Sequence, residues 1–335
     1  MIDPATTAMF AEAASAADGI ERQLGQNAAT LAALAAALRD QPPPFVITCA
    51  RGSSDHAATY AKYLFETRLG WMTASAAPSV SSIYHATLAM RGALFIALSQ
   101  SGRSPDLVAT LTMARKQGAR TLAIVNDASS PLAQNAEFVL PLHARTETSV
   151  AATKSYIGML FTILWLVETV RGENTEWVAA LPAQARAAWD LDWSALVSRF
   201  RDASSLFVLG RGPGLGVAQE AALKFKETAA IHAEAFSAAE VRHGPMALAA
   251  AGMPMLVFDA GDEASAEVAR FVDYAEGLGC DLLVTGCDLP EIRAHSLVQP
   301  ILQVQSFYRA VCTIACQRGR DPDAPPLLSK VTATV

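Results

Sequence analysis

Two segments of this chain follow one plan, about 160 residues apart. RGALFIALSQSGRSPDLVATLTMARKQGARTLAIVND and AGMPMLVFDAGDEASAEVARFVDYAEGLGCDLLVTGCD each read as apolar strand, polar turn, helix, glycine, strand. Gly118 and Gly279 fall at the same point of the plan. FVITC, closing in Arg51-Gly52, precedes the first segment, and SLFVLG, closing in Arg211-Gly212, precedes the second. Unbroken apolar strands alternating with helices imply βαβ units and parallel sheets covered on both faces. The expected fold is therefore α/β, with two tandem doubly wound parallel-sheet domains. The expected layout is a helical segment over 1–40, a first domain over 41–180, a second over 198–326 and a tail over 327–335.

Composition narrows the function classes. The chain has 335 residues, 52% hydrophobic and 17% charged, enough to bury two cores. A net charge of −6 and the lack of any Lys/Arg cluster argue against nucleic acid. Five scattered cysteines (Cys49, Cys280, Cys287, Cys312, Cys316) read as small buried thiols of a reduced, cytoplasmic protein. The longest apolar run, IGMLFTILWLVETV at 157–170, is too short for a bilayer and reads as a buried helix. Nothing at the N-terminus resembles a signal peptide, so no membrane partner is expected.

The first polar turn is the informative one. In open parallel sheets ligands sit beyond the carboxyl ends of the strands, where helix N-termini offer free N–H groups to anions. Ser99, Gln100, Ser101 and Ser104 add hydroxyl and amide groups there, and Gly102 lets the backbone approach. A plainer reading makes Ser104 an N-cap and the rest a tight turn. The second segment has Asp259, Ala260, Gly261, Asp262 and Glu263 instead, carboxylates that would repel phosphate. The architecture works without the serines, so 99–104 is expected to cradle a phosphate. No GxxxxGK[ST] exists and RGPGLG at 211–216 misses the dinucleotide spacing, so a small phosphorylated metabolite is expected and no cofactor.

Residues 219–246, QEAALKFKETAAIHAEAFSAAEVRHGPM, carry the densest ionisable groups. Glu220, Lys224 and Glu227 share one helical face. Glu227, among apolar neighbours, suits a desolvated general base, while Glu220 and Lys224 also fit a plain surface ladder. His232, Glu234, Glu240 and His243 follow. The chain lacks HExxH and PCxxC, and Cys312-x-x-x-Cys316 has the wrong spacing, so no metal is expected. His243, before Gly244-Pro245, is placed in a turn where an imidazole can face a cleft. The tail DPDAPPLLSKVTATV is apolar enough to dock, and its Lys330 can form an imine with a carbonyl substrate.

Taken together, ALSQSGRSPD, SVAATKSY, ALKFKETAAIHAEAFSAAEVRHGP and DPDAPPLLSK resemble the isomerase half of glucosamine-6-phosphate synthase, which consists of two sugar isomerase (SIS) domains of flavodoxin-like fold. The resemblance covers about residues 40–335. It implies that Gly52, Ser53, Ser54, Ser99, Gln100, Ser101, Ser104 and the backbone at Val150 bind a hexose or hexosamine 6-phosphate. It implies that Lys224 contacts the sugar, that Glu227 is the carboxylate base, and that Lys330 is the active-site lysine. His243 would assist ring opening, supplied by a neighbouring subunit of a homodimer. Three departures stand out. Arg51 replaces a family cysteine. The chain ends in Val335 rather than an acidic residue. It begins MIDPATTAMF, without a cysteine after the initiator, so no glutaminase half is expected. The expected activity is a SIS-type glucosamine-6-phosphate deaminase. The alternatives are a glutaminase-less aminotransferase, a plain ketose–aldose isomerase or deglycase, and a non-catalytic sugar-phosphate sensor.

Overall fold

The computed structural model describes residues 2–330, so the chain's end at Val335 lies outside the described residues. Two units, each discontinuous in sequence, make up the chain. One holds Ala16–Glu147, Lys154–Pro182 and the tail from Ser329, and the other holds the first fifteen residues, Thr148–Thr153 and Ala183–Leu328. The Ala-rich start forms α1 (Ala8–Ala14), in the second of these units, and α2 (Ala16–Asp40), in the first.

The first unit is built on β1 (Val46–Cys49), α3 (Ser53–Leu69), β2 (Thr73–Ser75), α4 (Pro78–Ser82) and β3 (Leu94–Ser99). It continues through α5 (Pro105–Lys116), β4 (Arg120–Val125), α6 (Pro131–Asn135), β5 (Phe138–Pro141) and α7 (Lys154–Arg171). All strands are parallel, in the order β2-β1-β3-β4-β5. Every residue of LFIALS is buried, as a central parallel strand requires. Phe95, Ala97, Ala123 and Val125 pack with Leu107 and Leu111 of α5 on one face. On α7 all but Thr169 and Arg171 are buried, and its Thr162 hydroxyl donates to Gln23 Oε1 of α2 at 2.5 Å. Among the described residues no helix is long and apolar enough to cross a membrane.

The second unit follows the same strand order. After α8 (Leu181–Trp189) and α9 (Ser194–Phe200) come β6 (Ser205–Gly210), α10 (Gly214–Ala229), β7 (His232–Ser237) and β8 (Pro254–Phe258). Then follow α11 (Ser265–Gly277), β9 (Asp281–Val284) and α12 (Gln299–Gln317), with the sheet ordered β7-β6-β8-β9 and parallel throughout. The chain turns from β6 into α10 so tightly that a Cβ on Gly210 would lie 2.4 Å from Gly214 O. Phe307 of α12 joins the halves of this core, meeting Phe225 and Phe258 edge-on.

Two expectations need correction. The tail does not dock through its leucines, because Leu327 and Leu328 are exposed. Polar contacts hold it instead: the Asp323 carboxylate accepts Ala8 and Met9 N–H groups at 2.7 Å each. Nor are all five cysteines buried: Cys49, Cys312 and Cys316 are, Cys280 is half-buried and Cys287 is exposed.

Candidate active site

In the order β2-β1-β3 the strand order reverses between β1 and β3, and such a switch point opens a crevice at the carboxyl ends of the strands. Cys49 pairs in register with Ala97, so Gly52-Ser53-Ser54 and the 99–104 turn leave the sheet side by side. Each leads into a helix N-terminus, α3 after Gly52 and α5 after Ser104. The turn has a fixed shape. Gly102 N–H donates to Ser99 Oγ at 3.0 Å, and Leu132 N–H donates to Gly102 O at 3.1 Å. Gly102 has φ +64°, and a Cβ there would lie 2.1 Å from Ser130 Oγ, so only glycine fits. Ser104 stands at the N-cap without making a side-chain capping bond, which sets aside the plain capping reading.

Arg51, the departure from the family pattern, donates through Nε and Nη2 to Asp106 Oδ2 at 3.1 and 2.8 Å. Asp106 is buried in the first turn of α5, so the guanidinium ties the end of β1 to the helix beside the turn. Arg103 pairs instead with Asp127 at 2.8 Å, where both are partly exposed. Beneath the turn, burial and then the Asp106 charge push the Cys49 thiol up to about 12, which leaves it unreactive.

In the same unit a cleft of about 580 Å3 is lined by Gln100 and Ser101 of the turn and by Glu147 and Lys330. Lys330 Nζ lies 3.5 Å from Glu147 Oε2. Glu147 is buried and also accepts Ser155 N–H at 3.2 Å and Ser155 Oγ–H at 2.5 Å. Sequence reasoning missed Glu147. The only signal was its place at the head of TETSVAATK, just before α7.

The second unit holds the other predicted residues. Lys224 on α10 is fully buried, with Nζ 2.6 Å from Glu227 Oε2 and 3.1 Å from Glu220 Oε1. Glu220 in turn accepts the Tyr308 hydroxyl at 2.9 Å. This corrects the surface-ladder reading: Lys224 and Glu220 are buried, and Glu227, partly buried, pairs with the ammonium. Burial alone would lower the Lys224 pKa, but the Glu220 and Glu227 charges outweigh it and raise it above the ordinary lysine range. Val150 N–H donates to Asp323 O at 3.1 Å, so that amide is already committed within the chain. His243 ends a short 3-10 helix, Glu240–His243, and is exposed. His232 and Glu234 lie exposed on β7, their side chains 3.9 Å apart, and among the described residues no group of three or more His, Cys, Asp or Glu side chains is placed to hold a metal ion. At the second turn Asp259 Oδ1 accepts Gly261 N–H and Ser265 Oγ–H, so a carboxylate stands there where the first turn has serine hydroxyls.

Two doubly wound parallel sheets, one with a serine-rich turn at its switch point and the other packed with a helix that carries a buried Lys–Glu cluster, define a tandem doubly wound α/β protein. Comparison with known proteins agrees. The SIS domain model matches residues 42–169 and 199–287, and the chain belongs to the SIS family. It is 30% identical over 307 residues to a glutamine–fructose-6-phosphate aminotransferase (isomerizing) from Sulfurisphaera tokodaii, covering 87% of this chain and 50% of the relative. The chain thus spans about half the length of the curated relatives it matches. A solved structure from Silicibacter pomeroyi, described as a candidate phosphosugar isomerase, superposes with TM-score 0.89 at 40% identity, covering 95% of this chain and 100% of that one. The glucosamine-6-phosphate deaminase structure from Thermotoga maritima shares the fold, with TM-score 0.83 at 23% identity, covering 98% of this chain and 100% of that one.

Proposed function

We propose that this chain converts glucosamine 6-phosphate and water to fructose 6-phosphate and ammonia. The observation that carries the reading is the single cleft that unites Lys330, Glu147, Gln100 and Ser101. It pairs an amine able to engage a keto carbon with hydroxyl and amide groups suited to a phosphate. The class is also that of several relatives, which act on sugar phosphates by their names.

In this reading the Ser99–Ser104 turn and Gly52-Ser53-Ser54 hold the 6-phosphate at two helix N-termini. His243, from a second copy of the chain, assists ring opening. Glu227, held by Lys224, moves a proton from C2 of the open aldose amine to C1. The product is the C2 imine of the ketose, which water hydrolyses to fructose 6-phosphate and ammonia. Lys330 engages the C2 carbon on the ketose side. The hydrolytic direction follows from mass action: water is abundant, whereas free ammonia near neutral pH is almost entirely non-nucleophilic ammonium.

The test is a panel of hexose and hexosamine 6-phosphates, followed for ammonia and for ketose. Ammonia and ketose together from an amino sugar support the reading. Ketose from a non-aminated aldose phosphate, with no ammonia from glucosamine 6-phosphate, favours a plain isomerase.

A further inference from the structure

The loop from β5 to α7 places two non-glycine residues in the left-handed region, His143 at φ +50° and Arg145 at φ +57°. Such backbone is unfavourable for side-chain-bearing residues and persists where the surroundings over-determine it, often where a ligand binds. Here the surroundings do so from three elements. Asn126, after β4, accepts Ala144 N–H at 2.9 Å and donates to Arg145 O at 2.7 Å. Arg22 Nε of α2 donates to His143 O, and Lys154 Nζ of α7 donates to Thr146 O. The loop is locked on both sides of Arg145.

This locked loop makes Arg145 line the same cleft as Gln100, Ser101 and Lys330, next to Arg22. Two of the cleft's cations are matched: Arg103 by Asp127 and Lys330 by Glu147. Among the described residues neither Arg22 nor Arg145 has a carboxylate within ion-pair distance. Planar guanidinium groups bind carboxylates through paired N–H donors, and a preset loop spares the ligand the cost of ordering them. The cleft is therefore equipped for more negative charge than its own carboxylates supply.

We propose that Arg145, with Arg22, receives a carboxylate carried on the amine nitrogen of the substrate. The substrate class is then N-carboxyalkyl amino-sugar 6-phosphates, of which glucosamine 6-phosphate is the unsubstituted parent. This rests on the amino-sugar phosphate reading: Lys330, assigned there to C2, lines the same cleft as Arg145 and Arg22, and the nitrogen on C2 is the substrate atom that can carry a further substituent.

The experiment compares N-carboxymethyl with N-(2-hydroxyethyl) glucosamine 6-phosphate, two probes of similar size that differ in charge. Their affinities are measured by calorimetry on the whole protein and on Arg145→Gly. Glycine adopts φ +57° without strain, so this variant removes the guanidinium and keeps the loop. The expected result is about tenfold or more tighter binding of the acid, a preference lost in Arg145→Gly while the neutral probe binds as before. Equal binding of the two probes overturns the proposal, as does a preference that survives Arg145→Gly. Equal weakening of both probes in Arg145→Gly assigns the arginine to the 6-phosphate and also overturns it. If neither probe nor glucosamine 6-phosphate binds, the sugar-phosphate reading itself fails, and this proposal with it.

Discussion

Lys224 and Glu227, three residues apart on α10, meet at 2.6 Å with the lysine wholly buried. Glu220 completes the cluster, also without solvent exposure. A cation between two carboxylates offsets their desolvation, and removing it leaves Glu220 buried and uncompensated. Lys224→Met is expected to destabilise the unit by about 3–5 kcal/mol, measured by urea unfolding. Glu220→Gln in the Lys224→Met background should recover part of the loss. The folded pKa of Lys224 is raised, so the cluster's stability is fully present below the unfolded lysine value near 10.4 and is lost only as pH rises beyond it. A Lys224→Met variant as stable as wild type would show that the cluster does not hold the fold.

The serine turn makes a separate prediction. Ser104 makes no capping bond, and among the described residues Ser101 Oγ accepts a long 3.3 Å bond from Arg103 N–H and no other, so both hydroxyls can be removed with little structural cost. Charge-assisted bonds to phosphate are each worth roughly tenfold or more in affinity. Ser101→Ala combined with Ser104→Ala should raise KM for a sugar 6-phosphate about a hundredfold on that scale, with kcat less affected. An unchanged KM would refute the cradle.

His143 supplies a pH dependence. Desolvation, and then the nearby Arg22 charge, lower its pKa. The unfolded chain therefore takes up a proton more readily, and stability falls as pH drops through about 6.5. Asparagine tolerates the left-handed backbone at this position and does not titrate. The fall in melting temperature between about pH 7.5 and 5.5 should be smaller in His143→Asn than in wild type. Identical pH profiles would contradict the assignment.

How much of this was legible in the sequence differs by element. LFIALS and SLFVLG announced central strands because every residue on them is apolar or small, and IGMLFTILWLVETV announced a helix buried all round. Lys224 was not legible, because Glu220, Lys224 and Glu227 at helical spacing look alike on a surface and in a core until α12 brings Tyr308 against Glu220. Glu147 and Arg145 lie in PLHARTETSV, which has no period to read. Their meeting with Lys330 and Gln100 depends on chain segments far apart in sequence. The tail misled in a different way: its leucines suggested apolar docking, whereas the Asp323 carboxylate and Lys330 supply the contacts.

The assembly prediction follows from His243, exposed at the end of its 3-10 helix. If a second copy supplies it, Lys330→Ala and His243→Ala subunits, each inactive alone, should regain activity when mixed, because some hybrid sites carry both residues. A lack of complementation, with subunit exchange demonstrated by light scattering of tagged chains, would place His243 outside the neighbour's site.

The most direct measurement follows glucosamine 6-phosphate with simultaneous coupled assays for ammonia and fructose 6-phosphate, on wild type, Glu227→Gln and Lys330→Ala. Wild type is expected to release equal amounts of both products. Turnover is expected to fall at least about a hundredfold in Glu227→Gln, the scale of a general base, and to fall strongly in Lys330→Ala. Absence of ammonia from glucosamine 6-phosphate, or undiminished turnover in Glu227→Gln, would contradict the proposed deamination.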